Sequence, residues 1–367
     1  MKKYIVSLIL LLLFSLSAEN EELVKYNSKN SNNTISLFFA GDVMCHLPQF
    51  NVAYNSKTYN YNFNICFSKI KPYIEKVNLA IANFEGTTSG KPYTGYPNFS
   101  CPDEMLDALK YAGFGLLLNA NNHVLDRGKY GLQRTIYQIQ KRKLLHIGSY
   151  INKNQRDSTY PLIVESKGIK LAFLNCTYGT NEILASKPNS VNYIDTLEIL
   201  ADLKKANDKG ADLKIVTVHW GTENELLANK HQRNLANFLV KHGVNLIIGS
   251  HPHVVQNSEI LYGKDSICVP VFYSLGNFIS NQRNLNTNGG IMVKVDIDLH
   301  TKQIINTSYL PVYVYRGVLD GAYQYHLIPT PDFLSNPSKY SLNANDSLAL
   351  IIFDRNTKKR LNNSHLY

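Results

Sequence analysis

Cysteine is scarce in this chain, and several motifs that mark common enzyme classes do not occur. The 367 residues contain only five cysteines and no C-x-x-C pair, which excludes a zinc ribbon and a thioredoxin-type redox centre. No G-x-S-x-G motif is present, and Ser274 lies in a different context, so a serine hydrolase is disfavoured. An odd number of cysteines leaves at least one thiol unpaired within one chain, and the disulfide pairing stays open.

The chain is basic overall, but its positive residues are not arranged for nucleic acid. The formal net charge is +10 at pH 7, yet no basic run is interleaved with aromatic residues, so we expect no nucleic-acid partner. A mixed, solvated surface with an excess of lysine is the simpler interpretation. The alternative is attraction to an anionic polymer or to the cell envelope.

Long apolar runs are missing except at the N-terminus. Two lysines precede an apolar run over residues 4–16, and Ser17-Ala18 then leads into an acidic stretch. This order predicts a signal peptide over residues 1–18, cut near Ala18, and a flexible leader over residues 19–34. We therefore expect an exported chain in the periplasm, the cell envelope or on the extracellular side of the cytoplasmic membrane. The apolar run is short for a membrane span, and a retained anchor is the alternative.

Strand-like apolar runs alternate with helical patterns, which is the signature of an α/β fold. A domain over residues 35–330 and a C-terminal extension over residues 331–367, packed on that domain, are expected. A hairpin is predicted to turn at Lys167-Gly168. The main strands are predicted at residues 36–40, 79–82, 114–119, 144–147, 214–218, 246–248, 269–273, 291–298 and 304–315, and the helices at residues 67–76, 102–111, 131–143, 195–208, 230–242 and 345–353.

The most informative stretch is NLIIGSHPHVVQ, residues 245–256. A buried strand ends at Gly249, and two histidines then flank Pro252. Proline disfavours helical geometry at the preceding residue, so extended backbone is predicted at His251 and His253. Their Cα atoms would then lie about 6.5 Å apart on one side of the chain. Two metals about 3.5–4 Å apart could take one histidine each.

Polar residues follow other predicted strands in the same way. If these strands share a sheet and a direction, their ends converge on one site. Imidazole suits zinc and iron, and carboxylates suit manganese. The set therefore predicts two divalent metal ions, which would lower the pKa of a bound water and hold the attacking and leaving oxygens of a displacement reaction. Turn or capping roles are the alternative for each residue alone. The residues are Asp42, Glu85, Asn122, His123, His219, His251 and His253.

Six motifs, five of which contain these residues, occur in order along the chain: Gly41-Asp42-Val43-Met44, Ala82-Asn83-Phe84-Glu85-Gly86, Ala120-Asn121-Asn122-His123-Val124-Leu125-Asp126-Arg127-Gly128, His219-Trp220-Gly221-Thr222-Glu223, Gly249-Ser250-His251-Pro252-His253-Val254-Val255-Gln256 and Tyr273-Ser274-Leu275-Gly276-Asn277-Phe278. Together they resemble the CapA-type capsule (poly-γ-glutamate) synthesis proteins, a branch of the calcineurin-like metallophosphoesterase superfamily. The resemblance covers residues 36 to about 280. It implies a four-layer α/β/β/α sandwich with a dinuclear metal site at one sheet edge.

The resemblance also implies a ligand set. Six residues would hold the metals, with Glu85 between both ions, Asp42 and His253 on one side, and Asn122, His219 and His251 on the other.

Other motif residues would act on the substrate. His123 would protonate the leaving group or contact the substrate. Asp126 and Glu223 could orient His123 and His219 as neighbouring carboxylates, or act as a helix cap and a solvated residue. Asn83, Glu223 and Asn277 are the candidate substrate contacts, with a turn role as the alternative for Asn277.

Two residues depart from the wider phosphoesterases. Met44 stands where they usually carry histidine, and Glu85 where they carry a bridging aspartate. A thioether is a poor ligand for a hard or borderline divalent ion, so two unequal metal positions are predicted. His46 could compensate only through a bent loop.

Two functions remain open at this level. The first is an exported metal-dependent hydrolase or transferase that acts on an anionic polymer of the poly-γ-glutamate type, or its precursor, in capsule biosynthesis. The second is a non-catalytic polymer-binding or tethering component of a polymer synthesis and export assembly. A membrane-bound polymer synthase is the expected protein partner in either case.

Overall fold

The computed structural model describes residues 24–25 and 33–362. The predicted signal peptide, residues 1–18, and nearly all of the predicted leader lie outside these residues. Within them, no helix is long and apolar enough to cross a membrane.

Strands account for most of the regular structure in the described part of the chain. In order they are β1 Val24–Lys25, β2 Thr34–Val43, β3 Tyr54–Asn55, β4 Asn60–Tyr61, β5 Leu79–Phe84, β6 Leu116–Leu118, β7 Leu145–Ile147, β8 Ser149–Tyr150, β9 Leu162–Ser166, β10 Ile169–Thr177, β11 Ser190–Val191, β12 Leu213–His219, β13 Leu246–Ser250, β14 Ser258–Tyr262, β15 Cys268–Phe272, β16 Asn277–Ile279, β17 Gly289–Asp298, β18 Ile304–Leu319 and β19 Ala322–Pro329.

Helices connect these strands, and most of them are short. In order they are α1 Leu47–Ala53, α2 Asn64–Phe67, α3 Lys71–Ile74, α4 Glu104–Ala112, α5 Gly128–Lys141, α6 Lys153–Thr159, α7 Thr196–Asp208, α8 Lys230–Lys241, α9 Thr330–Ser335 and α10 Ala344–Asn362.

Two large sheets contain most of the strands. The first has the order β19-β18-β17-β2-β5-β6-β7, and β16 pairs with β2 beside this path. Strands β2, β5, β6 and β7 are parallel, and β17, β18 and β19 run antiparallel to their neighbours. The second sheet has the order β1-β9-β10-β12-β13-β15-β14, in which β10, β12, β13 and β15 are parallel.

Three apolar clusters join four layers of secondary structure. The sheets pack face to face through a cluster that contains Leu37 and Ile81 from the first sheet and Ile215 from the second. The outer face of the first sheet packs on α2 and α4, and the outer face of the second packs on α7 and α8. The chain is therefore an α/β/β/α sandwich, and the predicted fold class is confirmed.

The C-terminal helices pack on the antiparallel part of the first sheet. Phe333 of α9 and Phe353 of α10 form one buried cluster with Tyr313 of β18 and Ile328 of β19. Leu361, near the end of α10, belongs to the cluster between the sheets. The end of α10 is thus part of the core.

Most predicted elements are present, and the structure adds several that were not predicted, among them α1, α6, β14 and β19. Residues 67–76 were expected as one helix, but α2 and α3 form instead. Pro72 has no backbone N–H and so suits the first turn of a helix, where it begins α3. The sequence patterns did not predict β19, which pairs with β18 along its whole length.

Candidate metal centre

Side-chain alternation in β5 points two of the predicted site residues between the sheets. Ala80 and Ala82 face the outer helices, and Ile81 faces the second sheet. Successive side chains of a strand point to opposite faces, so Asn83 and then Glu85 continue the inward-facing set.

In β2 a break in the alternation is needed to give the same result. Phe38 and Ala40 face the helices, so regular alternation would turn Asp42 towards the helices as well. The register with β5 shifts between Ala40 and Asp42, and Val43 then takes the helix-facing side. A bulge of this kind re-aims side chains, and here it points Asp42 between the sheets.

The second sheet supplies the opposite wall by regular alternation. In β12, Val216 and Val218 face the outer helices, and Ile215 faces the first sheet. His219 therefore faces inwards at the end of β12, and Ser250 lies beside it in the register of β13.

Asn83 joins the two carboxylates of the site. Its amide nitrogen donates to Asp42 Oδ1 at 2.8 Å and to Glu85 Oε2 at 3.3 Å. His253 Nδ1 lies 3.1 Å from Asp42 Oδ2, and His253 Nε2 lies 3.7 Å from Glu85 Oε1. All four side chains are buried.

His219 lies on the other side of Glu85. Its Nε2 is 2.8 Å from Asn122 Oδ1 and 3.7 Å from Glu85 Oε1, while its Nδ1 is 2.9 Å from Ser250 Oγ. The hydroxyl of Ser250 thus holds the histidine that Glu223 was predicted to orient. Glu223 is exposed, as in the solvated alternative.

The backbone at the two clustered histidines differs from the predicted extended form. The φ angles are 99° at His251 and 58° at His253. Gly249, two residues before His251, lies against Tyr273, whose carbonyl oxygen would be 1.9 Å from any Cβ at Gly249. The ring of His251 lies 4.8 Å from that of His219. Positive φ is uncommon outside glycine, and such strain concentrates at functional sites.

These residues fit divalent metal ions. Within the described residues, Glu85 Oε1 and His251 Nδ1 are buried without a hydrogen-bond partner. The ligand atoms of Glu85, His251 and His253 lie within 4.8 Å of one another, as do those of Asp42, Glu85 and His219. Glu85 belongs to both groups. Carboxylate and imidazole ligands in this number suit manganese, iron or zinc.

Burial also shifts the pKa values of these residues. It lowers the pKa of His251 to about 3 and that of His219 well below its usual value, and neighbouring histidines add to both effects. Burial and the Asp42 carboxylate raise the pKa of Glu85 well above its usual value. Neutral imidazoles are the form that binds metal, and the crowded carboxylates are a second reason for a cation here.

His123 lies beside the ligands but is held by a different set of contacts. Its Nδ1 is 2.8 Å from Asp126 Oδ2, and that oxygen also accepts the backbone N–H of Phe99 at 2.7 Å. The ring of Phe99 packs edge-on against the imidazole at 4.7 Å. Asp126 therefore takes the position of a carboxylate that orients His123.

The predicted substrate contacts Asn83 and Asn277 are both buried. Asn83 holds the carboxylates, as described. Asn277 pairs with Asp42 in the register of β16 and β2, and its amide nitrogen donates to Gln282 and to the Thr287 carbonyl. Neither side chain is exposed to solvent, and their role as substrate contacts stays a prediction.

Two residues of the site were not predicted from the sequence. The ring of Tyr178 lies 4.6 Å from that of His251, and the amide of Asn181 contacts Asn122 and His123. Both follow β10, whose first half was assigned to a hairpin. The signal that could have found them is the one used elsewhere, polar residues just past the end of a buried strand.

Met44 and His46 follow Asp42 closely. Met44 is buried, and Gln49 donates to its carbonyl oxygen. His46 is engaged through Nδ1, which lies 3.2 Å from Gln49 Oε1 and accepts the N–H of Asn281 at 3.3 Å. Burial lowers the pKa of His46 to about 4.

The chain is thus an α/β/β/α sandwich with a buried cluster of carboxylates and histidines between its sheets. The NAD nucleotidase NadN of Haemophilus influenzae aligns with 89% of this chain and 60% of its own, at 11% identity and a TM-score of 0.50. A phosphatase from Mycoplasma pneumoniae aligns with 77% of this chain and 94% of its own, at 18% identity and a TM-score of 0.45. At 11% identity the likeness to NadN concerns the fold alone.

The sequence assigns the family of the chain. Residues 36–282 match the bacterial capsule synthesis protein family PGA_cap, and the chain belongs to this family. It is 29% identical over 279 residues to the capsule biosynthesis protein CapA of Bacillus anthracis and 27% identical over 277 residues to the PGA biosynthesis protein CapA of Bacillus subtilis strain 168. Each match covers 72% of this chain, and 64% and 68% of the respective relatives. The predicted resemblance is confirmed.

Proposed function

We propose that this chain is an exported, metal-dependent hydrolase or transferase that acts in capsule biosynthesis on an anionic polymer of the poly-γ-glutamate type, or on its precursor. The observation that carries the proposal is the pair His123–Asp126. Its 2.8 Å contact orients an imidazole beside the ligand cluster without making it a ligand. A tethering component has no need of such a pair.

Two divalent ions, manganese, iron or zinc, are proposed at the centre. Asp42, Glu85 and His253 would hold one, and Glu85, Asn122, His219 and His251 the other. Ions bound in this way supply Lewis acidity and lower the pKa of water. Asn83 supports this binding because its amide holds Asp42 and Glu85 in fixed orientations.

His123 is proposed as the proton donor to the leaving group. Its Nδ1 proton is held by Asp126, which leaves Nε2 to carry the transferred proton. The contacts of Asp126 with Phe99 and His123 fix the direction of the ring. An amine leaving from a γ-linked amide and an alcohol leaving from a phosphoester both need this proton, so the pair serves either bond.

The cellular setting is proposed from the sequence and from the relatives. The N-terminal pattern favours export to the envelope, and the two Bacillus relatives are named for capsule and PGA biosynthesis. A membrane-bound polymer synthase is the proposed partner, and the excess of basic residues would favour an anionic polymer.

Metal analysis of protein purified without chelator tests the centre. We expect close to two divalent ions per chain in the wild type and clearly fewer in Glu85→Gln, which removes the charge shared by both positions. Glu198→Gln is the matched control, because Glu198 is exposed on α7, and it should keep the wild-type content. Equal metal content in all three proteins would contradict the proposed site.

Turnover separates the enzyme from the tethering alternative. Metal-loaded protein should release nitrophenol from an aryl phosphate diester or shorten γ-linked oligoglutamate, and metal-free protein should do neither. A full complement of metal with no turnover of either probe would favour the tethering role.

A further inference from the structure

A short loop of the second sheet lies over the candidate metal centre. This covering loop, residues 178–184, follows β10. The backbone N–H of Tyr178 donates to the carbonyl oxygen of His219 at 2.9 Å, which fixes the start of the loop on a proposed ligand.

Asn181 fixes the middle of the covering loop. Its Oδ1 accepts from Asn122 Nδ2 at 3.2 Å, and its Nδ2 lies 3.3 Å from His123 Nδ1. Asn181 and Glu182 have φ angles of 48° and 62°, so the loop turns tightly. The loop is thus hydrogen-bonded to the proposed ligand Asn122 and lies against His123.

Tyr178 is the residue of this loop that combines contact with the centre and access to solvent. Its ring lies 4.6 Å from the ring of His251 and is stacked at 6.3 Å on that of His219. The side chain is 49% exposed. Across residues 24–25 and 33–362, its hydroxyl has no hydrogen-bond partner. A phenol placed in this way is a donor available to whatever binds at the centre.

We propose that Tyr178 is a substrate-binding residue, whose hydroxyl donates a hydrogen bond to an anionic oxygen of the substrate at the metal centre. The inference rests on the proposed function, because cations held beside Tyr178 would draw an oxyanion to this position. Phosphate and carboxylate share the required chemistry. The covering loop then forms one wall of the substrate site, and the second sheet supplies it.

Tyr178→Phe tests the hydroxyl alone, because the ring keeps its packing on His219 and His251. The full mature chain is loaded with Mn²⁺ and titrated calorimetrically with inorganic phosphate and, separately, with γ-linked triglutamate. Affinity for at least one probe should fall by roughly tenfold, the loss expected for one hydrogen bond to a charged group. The probe that is affected identifies the oxyanion.

Metal affinity is read independently from the fluorescence of Trp220, the only tryptophan, which follows the ligand His219. The metal affinity should be unchanged in Tyr178→Phe. Tyr262→Phe is the control, because Tyr262 is exposed in β14 and pairs with Cys268 at the far end of the second sheet.

Unchanged affinity of Tyr178→Phe for both probes would overturn the inference, as would a wild type that binds Mn²⁺ but neither probe. Either result leaves the metal centre intact. A wild type that binds no metal would instead remove the proposed function and this inference with it.

Discussion

At Glu85 the chain buries a carboxylate that is hydrogen-bonded on one oxygen only. Oε2 accepts from Asn83, whereas Oε1 has no partner among the described residues and lies 3.7 Å from nitrogens of both His219 and His253. A buried charge without a partner is costly, and a cation shared with those imidazoles would offset that cost. The residue is therefore placed for metal binding rather than for stability.

His123 gives the sharpest test at the level of one side chain. His123→Ala should leave the metal content near that of the wild type and lower turnover of any active substrate by about 10²–10⁴, the usual contribution of a positioned proton donor. His300→Ala is the control, because His300 is exposed on a turn after β17. Wild-type turnover in His123→Ala would support the tethering role instead.

Met44 should make the two metal positions unequal. One ion would have three strong ligands, Asp42, Glu85 and His253, whereas the neighbouring ion would have four ligands. Titration of metal-free protein should therefore show one tight and one weaker binding event. Met44→His should strengthen the weaker event by about tenfold or more, a change of ~1.4 kcal/mol. Met44→Leu should leave it unchanged, and two equal affinities in the wild type would refute the ligand count.

At the scale of elements, the centre depends on how β2 ends. The bulge between Ala40 and Asp42 turns the carboxylate inwards, and β16 then pairs with β2 at Asn277. The N–H of Asp42 donates to Gly276 at 3.0 Å. This close approach is possible because Gly41 has no side chain, since a Cβ there would lie 1.9 Å from the Gly276 oxygen.

Gly41→Ala should therefore separate β2 from the chain at Gly276. We expect a loss of about 1–3 kcal/mol in the free energy of unfolding, typical of an added methyl group in a tightly packed site, and weaker metal binding. Denaturant unfolding measures the first and metal analysis the second. Gly263→Ala is the control, because its Cβ would meet no atom closer than 3.7 Å. Equal losses in the two variants would argue against the bulge as the cause.

At the scale of the whole molecule, six proposed ligands come from positions 42 to 253 and meet between the two sheets. The first sheet provides Asp42, Glu85 and Asn122, and the second provides His219, His251 and His253. Metal bound there would join the sheets directly, so its removal should lower the thermal stability of the whole chain. The C-terminal helices pack on the antiparallel part of the first sheet.

Export is the remaining prediction at this scale. The signal pattern over residues 1–18 predicts that mature protein begins near Glu19 and is found outside the cytoplasmic membrane. N-terminal sequencing of protein from the native cell envelope checks this. Recovery of Met1 would show that the segment is retained, as in the anchor alternative.

Local sequence determined much of the fold and the chemistry of the site. Polar residues follow the apolar runs at Asp42, Glu85, His219 and His251. The sequence therefore indicates both where these strands end and which side chains come next. This information is local, because a strand of period two and the polar residue beyond it are adjacent in the chain. The same alternation points Glu85, after β5, and His219, at the end of β12, towards the space between the two sheets.

Tertiary structure decided the rest. The bulge that turns Asp42 inwards lies where Gly41 meets Gly276, a residue far along the chain, and the positive φ angles of His251 and His253 were not predicted by their local sequence. The partner of His219 is Ser250 on the neighbouring strand, not Glu223 four residues away. Tyr178 lies beside His219 because β10 pairs with β12, with Thr177 opposite His219. Pairing between segments this far apart in the chain is encoded by no local pattern.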